Sequence, residues 1–366
     1  MSLRKFLWVS IIILPGLLAK GNKTFRENPN DRFLIMAYYA GNETDIERYD
    51  LSRLTHIIYS FCYLDGNSII IPEERIPVVK KLSSIKKDYP DLKIILALGG
   101  WGGCETCSEV FSTSPGRSEF ALSVKELLKR YQVDGIDLDW EYPAIPGYPG
   151  HPYKTEDRRN FTLLIKELRN ILGNDYEIGF AAGAFPRFFK ESVEWEKVMP
   201  HVDYINIMTY DLVAGGPRTG HHTPLFSTDE QTLSVDFAVN FLDSIGVERS
   251  KMVIGAAFYA RVWENVDPVN NGLYQSGSFL TAITYNNLRQ WLLKNEMTEF
   301  WDESAMAPYA YSAEKGLFAT YDNNRSVGLK TRYSIQNQLG GIMFWQLGGD
   351  NPVNGLLQSI YREMDK

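Results

Sequence analysis

Asp134-Gly135-Ile136-Asp137-Leu138-Asp139-Trp140-Glu141-Tyr142-Pro143 is a segment in which acidic and apolar residues alternate. On an extended strand successive side chains point to opposite faces, so Asp137, Asp139 and Glu141 share one face at intervals of about 6.6–7 Å. Ile136, Leu138 and Trp140 share the other. In a closed parallel barrel the apolar outer face packs on helices and the remaining face turns inward. Three carboxylates directed into such an interior are unfavourable unless paired or neutralised, and the strand has no Lys or Arg on that face. A purely structural row of this kind would need cations on several neighbouring strands. Like charges held this close cannot all ionise, so at least one retains a proton near neutral pH. Glu141 lies at the C-terminal end of the strand, where barrel active sites form. A carboxyl group with a raised pKa at that place suits a general acid that protonates a leaving oxygen.

Outward from this segment, short runs rich in Ile, Leu, Val, Tyr and Phe recur: 33–40, 56–64, 93–99, 135–140, 178–184, 204–210, 252–260 and 341–345. They read as strands covered on both faces. Helical spacing falls between them at 76–87, 117–131, 157–172 and 234–242, with a closing helix at 356–364. Eight alternating strands predict an α/β fold, a (β/α)8 TIM barrel. A doubly wound open sheet is the alternative, but no G-x-G-x-x-G follows the first strand. The stretch from Ala260 to Gly341 is too long for one crossover helix. It reads as a small α+β insertion between strands 7 and 8, at 262–322, which leaves 32–261 and 323–366 to the barrel. Ser326 is the expected N-cap of the returning helix.

The chain has 366 residues, 44% hydrophobic and 23% charged, the profile of a globular protein. A formal net charge of -7 disfavours nucleic acid or an anionic membrane as partner. Arg4 and Lys5 followed by an apolar run to Leu18 read as a signal peptide over 1–21, with a secreted, extracellular destination, periplasmic in a bacterium. After its cleavage no membrane association is expected. With 3 Cys this is no disulfide framework; Cys104 and Cys107 are spaced for a small loop disulfide, and Cys62 sits in an apolar run. The 5 His show no helix-spaced pair, so no metal site is expected.

Asp134 to Glu141 resembles the D-x-x-D-x-D-x-E signature of glycoside hydrolase family 18, the chitinase family. Ala97-Leu98-Gly99-Gly100-Trp101 is similar to its third-strand S-x-G-G segment, and Met208-Thr209-Tyr210-Asp211 to its sixth-strand motif. Tyr259-Ala260-Arg261 resembles its seventh-strand Y-x-R, and Gly341 to Trp345 its eighth-strand tryptophan segment. The resemblance implies a retaining glycosidase acting on chitin or chitooligosaccharides without a cofactor, through the substrate's own N-acetyl oxygen.

In that scheme Glu141 is the acid and then the base. Asp139 holds the N-acetyl N–H, Asp137 shares a proton or hydrogen bond with Asp139, and Asp134 is structural. Tyr210 orients the N-acetyl oxygen, and Trp345 is the floor under the sugar being cleaved. Asp211 and Arg261 bind from the rim, with Trp101, Tyr142, Tyr39 and Phe61 as further wall residues. Two departures stand out: Ala97 occupies the usual serine position, and Leu212 to Pro217 lacks an aromatic residue common there for the leaving-group sugars. A chitin-binding lectin, an endo-β-N-acetylglucosaminidase of N-glycans, and an enzyme acting on peptidoglycan are the rival readings. The chain is expected to act as a monomer.

Overall fold

The structure, a computed structural model, describes residues 33–366; the expected signal peptide lies outside them. Fourteen strands are present among the described residues: β1 (Leu34–Tyr39), β2 (His56–Asp65), β3 (Ser68–Ile70), β4 (Lys93–Gly99), β5 (Gly135–Asp139), β6 (Glu177–Gly183), β7 (Tyr204–Met208), β8 (Met252–Ala257), β9 (Tyr259–Glu264), β10 (Ser278–Thr284), β11 (Thr298–Asp302), β12 (Ala307–Ser312), β13 (Leu317–Thr320) and β14 (Gly341–Trp345). The order β1-β14-β8-β7-β6-β5-β4-β2 is parallel throughout and closes through β1–β2, so eight strands form a barrel. The chain therefore folds as a (β/α)8 TIM barrel. β3 is a short antiparallel partner of the end of β2.

Side-chain alternation divides the interior from the helix layer. Ile136, Leu138 and Trp140 join the large apolar cluster between strands and helices. A smaller cluster fills the barrel, with Met36, Tyr38, Ile58, Ile95, Ala97, Tyr204, Val253 and Met343. The helix Asp157–Leu172 shows why the outer layer holds: Phe161, Leu164, Ile165, Leu168 and Leu172 recur at helical spacing and are all buried. The helix Ser114–Tyr131 starts ahead of the expected 117. Thr113 caps it by accepting the Gly116 amide proton at 3.0 Å, and Pro115 sits in its first turn.

β9 to β13 form an antiparallel sheet in the order β10-β9-β13-β12-β11. Its first strand begins at Tyr259, ahead of the boundary at 262 read from the sequence. The helix Tyr285–Lys294 covers one face through Leu288 and Leu292, while Trp263, Leu273, Tyr309 and Phe318 pack on the other. The returning helix Asn324–Gln336 corrects one expectation. Its N-cap is Asn323, and Ser326 is the third helical residue of a reciprocal capping box. Cys104 and Cys107 are disulfide-bonded, and Cys62 is a buried free thiol. No helix among the described residues is long and apolar enough to cross a membrane.

Candidate active site

β5 delivers Asp137 and Asp139 into the barrel, both buried, and Glu141 follows at its mouth, half-buried. Asp137 accepts hydrogen bonds from the Tyr38 hydroxyl at 2.7 Å and from the Asn206 amide at 3.0 Å. Asn206 also donates to the Tyr38 oxygen at 3.2 Å, closing a triangle in which both donors to Asp137 are neutral. Asp139 Oδ1 is buried without a hydrogen-bond partner among the described residues. An orphaned buried oxygen of this kind is unfavourable unless something else occupies it.

Burial drives the acids upward in pKa. Asp137 is pushed up to about 6, against the pull of the Tyr38 and Asn206 donors. Burial raises Asp139 well above the usual carboxylate range, and the neighbouring Glu141 and Asp137 raise it further. Glu141 is pushed up to about 7 by burial, with the Tyr142 hydroxyl opposing and Asp211 adding to the shift. The row therefore carries protons near neutral pH, and the outermost acid is poised between its two states.

The approach of β4 to β5 depends on two glycines. Gly99 stands opposite Asp139, and a Cβ there would fall 2.3 Å from the Asp139 carbonyl oxygen. A Cβ on Gly100 would fall 2.5 Å from the Phe61 ring. Both residues also have positive φ, +106° and +79°, so a side chain is excluded on two counts. Ala97 faces Asp137 in the register, and its methyl group leaves the hydrogen bonding of Asp137 to Tyr38 and Asn206.

Trp345 ends β14 and stacks on Phe61, with centroids 5.5 Å apart and planes at 16°. Tyr38 meets the same indole at 5.9 Å. The peptides after Ser60, Glu141 and Trp345 are cis, all at this mouth. Beyond Phe61, Tyr63, Trp101, Tyr148 and His151 complete a hollow of about 520 Å³. Trp101 is 59% exposed and packs edge-on against Tyr148 at 5.6 Å. Tyr142 packs between Phe185 and Phe188.

The β7 and β8 flank is built differently. Tyr210 lies where a Cβ on Gly255 would strike its ring at 2.7 Å, and its hydroxyl is 3.9 Å from Met343 Sδ. Burial, then the charges of Asp139, Glu141 and Asp211, raise its pKa, which keeps the phenol a donor. Asp211, at φ +57°, is gripped by both arms of Arg261, with the second at 2.6 Å, and by the Tyr259 hydroxyl at 2.7 Å. His222 Nδ1 lies 3.5 Å away. Although burial pushes Asp211 up, Arg261 and His222 outweigh it and hold the carboxyl well below the usual range.

Tyr39 is a correction. It is fully buried in the helix-side cluster, and its hydroxyl donates to the Asn42 carbonyl, so it does not line the mouth. Strand parity decides this: Met36 and Tyr38 face the interior, and Tyr39 must face the other way. The inward tyrosine, Tyr38, and its partner Asn206 were not singled out from the sequence. Asn206 had a signal, as the one amide within the apolar run Tyr204 to Met208. Also unanticipated is a buried ion pair behind the Tyr210 segment. Lys330 donates to Asp322 at 2.6 Å and to Thr223, and Thr223 donates to the Thr209 carbonyl at 2.9 Å. Asp322 further accepts the Ala257 amide at 2.9 Å, so this network fixes the ends of β7 and β8 together. Among the described residues no cluster of three His, Cys, Asp or Glu side chains is arranged to hold a metal ion.

The family profile described as Glycosyl hydrolases family 18 matches residues 34–350. Chitinase A1 of Niallia circulans is 34% identical over 298 residues, covering 74% of this chain and 42% of that protein. Chitinase B of Serratia marcescens is 31% identical over 383 residues, covering 85% of this chain and 76% of that protein. The chain thus spans about two fifths of the first relative's length and three quarters of the second's. Among solved structures, the glycoside hydrolase family 18 N-acetylglucosaminidase from Paenibacillus barengoltzii superposes with a TM-score of 0.82 at 33% identity. That match covers 91% of this chain and all of the other.

Proposed function

Because this chain belongs to the glycosyl hydrolases of family 18, we propose that it is a chitinase, cleaving β-1,4-linked N-acetylglucosamine polymers with retention of configuration. The observation that carries the reading is the inward row of Asp137, Asp139 and Glu141, without a cation among its hydrogen-bond partners and with one buried carboxylate oxygen unsatisfied.

Glu141 gives its proton to the glycosidic oxygen as the bond from that oxygen to the anomeric carbon breaks. The acetamido carbonyl oxygen of the same sugar attacks that carbon, forming a cyclic oxazolinium ion. Asp139 Oδ1 accepts the acetamido N–H and offsets the positive charge that develops. The Tyr210 hydroxyl donates to the acetamido oxygen and holds it in line. Water then attacks the anomeric carbon, Glu141 takes its proton, and the ring opens to the retained hydroxyl. Trp345, backed by Phe61, supplies the floor. Trp101 and Tyr142 line the wall, and Asp211 with Arg261 binds from the rim. The segment from β9 to β13 acts as the lobe that deepens this cleft, and the eight parallel strands with their helices as the catalytic barrel. Export directed by 1–21 and action as a monomer complete the reading.

The test is hydrolysis of fluorogenic di- and tri-N-acetylchitooligosaccharides by the mature chain and by Glu141→Gln. Turnover that falls by about 10²- to 10⁴-fold in the folded variant is expected. Tight oligosaccharide binding without any turnover by the unsubstituted chain would replace the enzyme with a lectin. An inert chain that also fails to bind would turn the search to N-glycans and peptidoglycan.

A further inference from the structure

The flank nearest the lobe carries an aromatic ring that the mechanism above does not use. Phe279 stands opposite Trp263 in the β10–β9 register, just before the bulge that interrupts pairing ahead of Thr281. Bulges re-aim side chains, and here Phe279 remains 39% and Leu280 42% exposed. The Phe279 ring is nonetheless fixed. Trp263 meets it at 5.6 Å with planes 80° apart, and the Arg261 guanidinium lies 5.2 Å from its centroid. That same guanidinium forks onto Asp211. Phe279 is therefore the next contact outward from the Asp211–Arg261 pair.

The loop that follows Asp211 is shaped around this ring. Leu212 to Pro217 contains no aromatic residue. Gly215 has φ +83°, and a Cβ there would come within 3.2 Å of the Phe279 ring. The neighbouring Gly216 carbonyl accepts the Trp263 indole N–H at 3.0 Å, which ties the loop to the lobe. Bulk at Gly215 would collide with Phe279, so the two segments share one volume, and the lobe fills it.

We propose that Phe279 is a sugar-stacking residue, forming an outer subsite for one pyranose of an N-acetylglucosamine polymer on the β7–β8 side of the cleft. The ring occupies the space that the loop leaves empty, and its apolar surface is continuous with the polar pair that meets the inner sugars. Arg261 then has two tasks, orienting Asp211 and backing the aromatic platform. The assignment rests on the chitinase reading above.

Michaelis constants for a chitooligosaccharide hexamer and dimer are measured for the full chain, Phe279→Ala and Phe279→Trp. Phe279→Ala should raise the hexamer-to-dimer ratio of KM by roughly three- to tenfold, and Phe279→Trp should keep the parent ratio. An unchanged ratio in Phe279→Ala overturns the assignment. Should the unsubstituted chain be inert at both lengths, the failure belongs to the chitinase reading. Hexamer binding by calorimetry to Glu141→Gln, with and without Phe279→Ala, then judges the ring alone: weaker affinity supports it and equal affinity overturns it.

Discussion

The N-terminal end of the barrel and the β5 row at its mouth hold carboxylates in opposite ways. At the N-terminal end, Asp134 is bonded by Lys86 at 2.6 and 2.8 Å and by the Ile94 amide at 2.7 Å. Glu177 is bonded by His56 and Lys93, and Asp203 by Arg169 and the Ile178 amide. At the mouth, Asp137 has only neutral donors and Asp139 keeps an unsatisfied oxygen. The pKa directions divide the same way. Burial pushes Glu177 up, but His56 and Lys93 hold it below the usual value, whereas Asp137 and Glu141 rise to about 6 and about 7. Cations at one end make acids part of the scaffold. The absence of cations around Asp137, Asp139 and Glu141 leaves those three acids available to a ligand, and makes them a burden on folding at neutral pH, whereas Asp211 at the same mouth is held by Arg261.

Substitutions at the two ends should separate these roles. The largest effect falls on Asp139→Asn, which should lower kcat by about 10²-fold or more. Asp134→Asn, one strand face and one barrel end away, should keep kcat near the parent value while lowering the melting temperature. Equal losses of kcat in the two variants would erase the distinction.

Next comes stability, with opposite signs at the two ends. Glu141 ordinarily titrates at 4.5 and here at about 7, so the folded chain binds more protons than the unfolded one between those values. Stability contributed by this group therefore falls as pH rises through that window, is lowest above about 7, and is unaffected below about 4.5. Glu141→Gln should stabilise the fold by about 1–2 kcal/mol at pH 8 and by almost nothing at pH 4. Lys86→Met should instead destabilise it by about 1 kcal/mol at pH 8, by leaving Asp134 without its cation. Melting temperatures at the two pH values read both, and a Glu141→Gln variant no more stable than its parent at pH 8 would break the comparison.

The smallest effect is a shifted pH profile. kcat/KM should decline as pH rises through about 7, where Glu141 loses its proton. Tyr38→Phe removes a donor that favours ionised Asp137, so the pKa of Asp137 climbs above about 6. The acid limb should then move to higher pH while the alkaline limb stays, narrowing the bell. An acid limb that does not move would remove Asp137 from the groups governing it.

The alternation of acids and apolar residues in β5 made that strand and its inward face legible from the residues alone. The limits of β4, β14 and the helices Asp157–Leu172 and Leu356–Met364 also follow from apolar runs and their punctuation. What was not legible came from other strands. Tyr38 and Tyr39 are adjacent and chemically identical, so only the phase of β1, set by its neighbours, says which reaches Asp137. Lys330 is a helical cation, yet it is fully buried, with Asp322 and Thr223 meeting its ammonium from two other segments and Thr223 passing the bond on to the Thr209 carbonyl. Pairings across more than 100 residues, such as Lys330 with Thr223, leave no local pattern.

The position of β14 has a consequence for how the molecule is made. It is the last barrel strand to leave the ribosome, yet it sits between β1 and β8. The whole of β9 to β13 is synthesised while the barrel is still an open sheet with two unpaired edges, the condition in which strands find wrong partners. Trp345 arrives only with the strand that seals the gap. A nascent chain therefore has no floor to its cleft until β14 has emerged, and a chain stopped before Gly341 would keep its two sheet edges exposed.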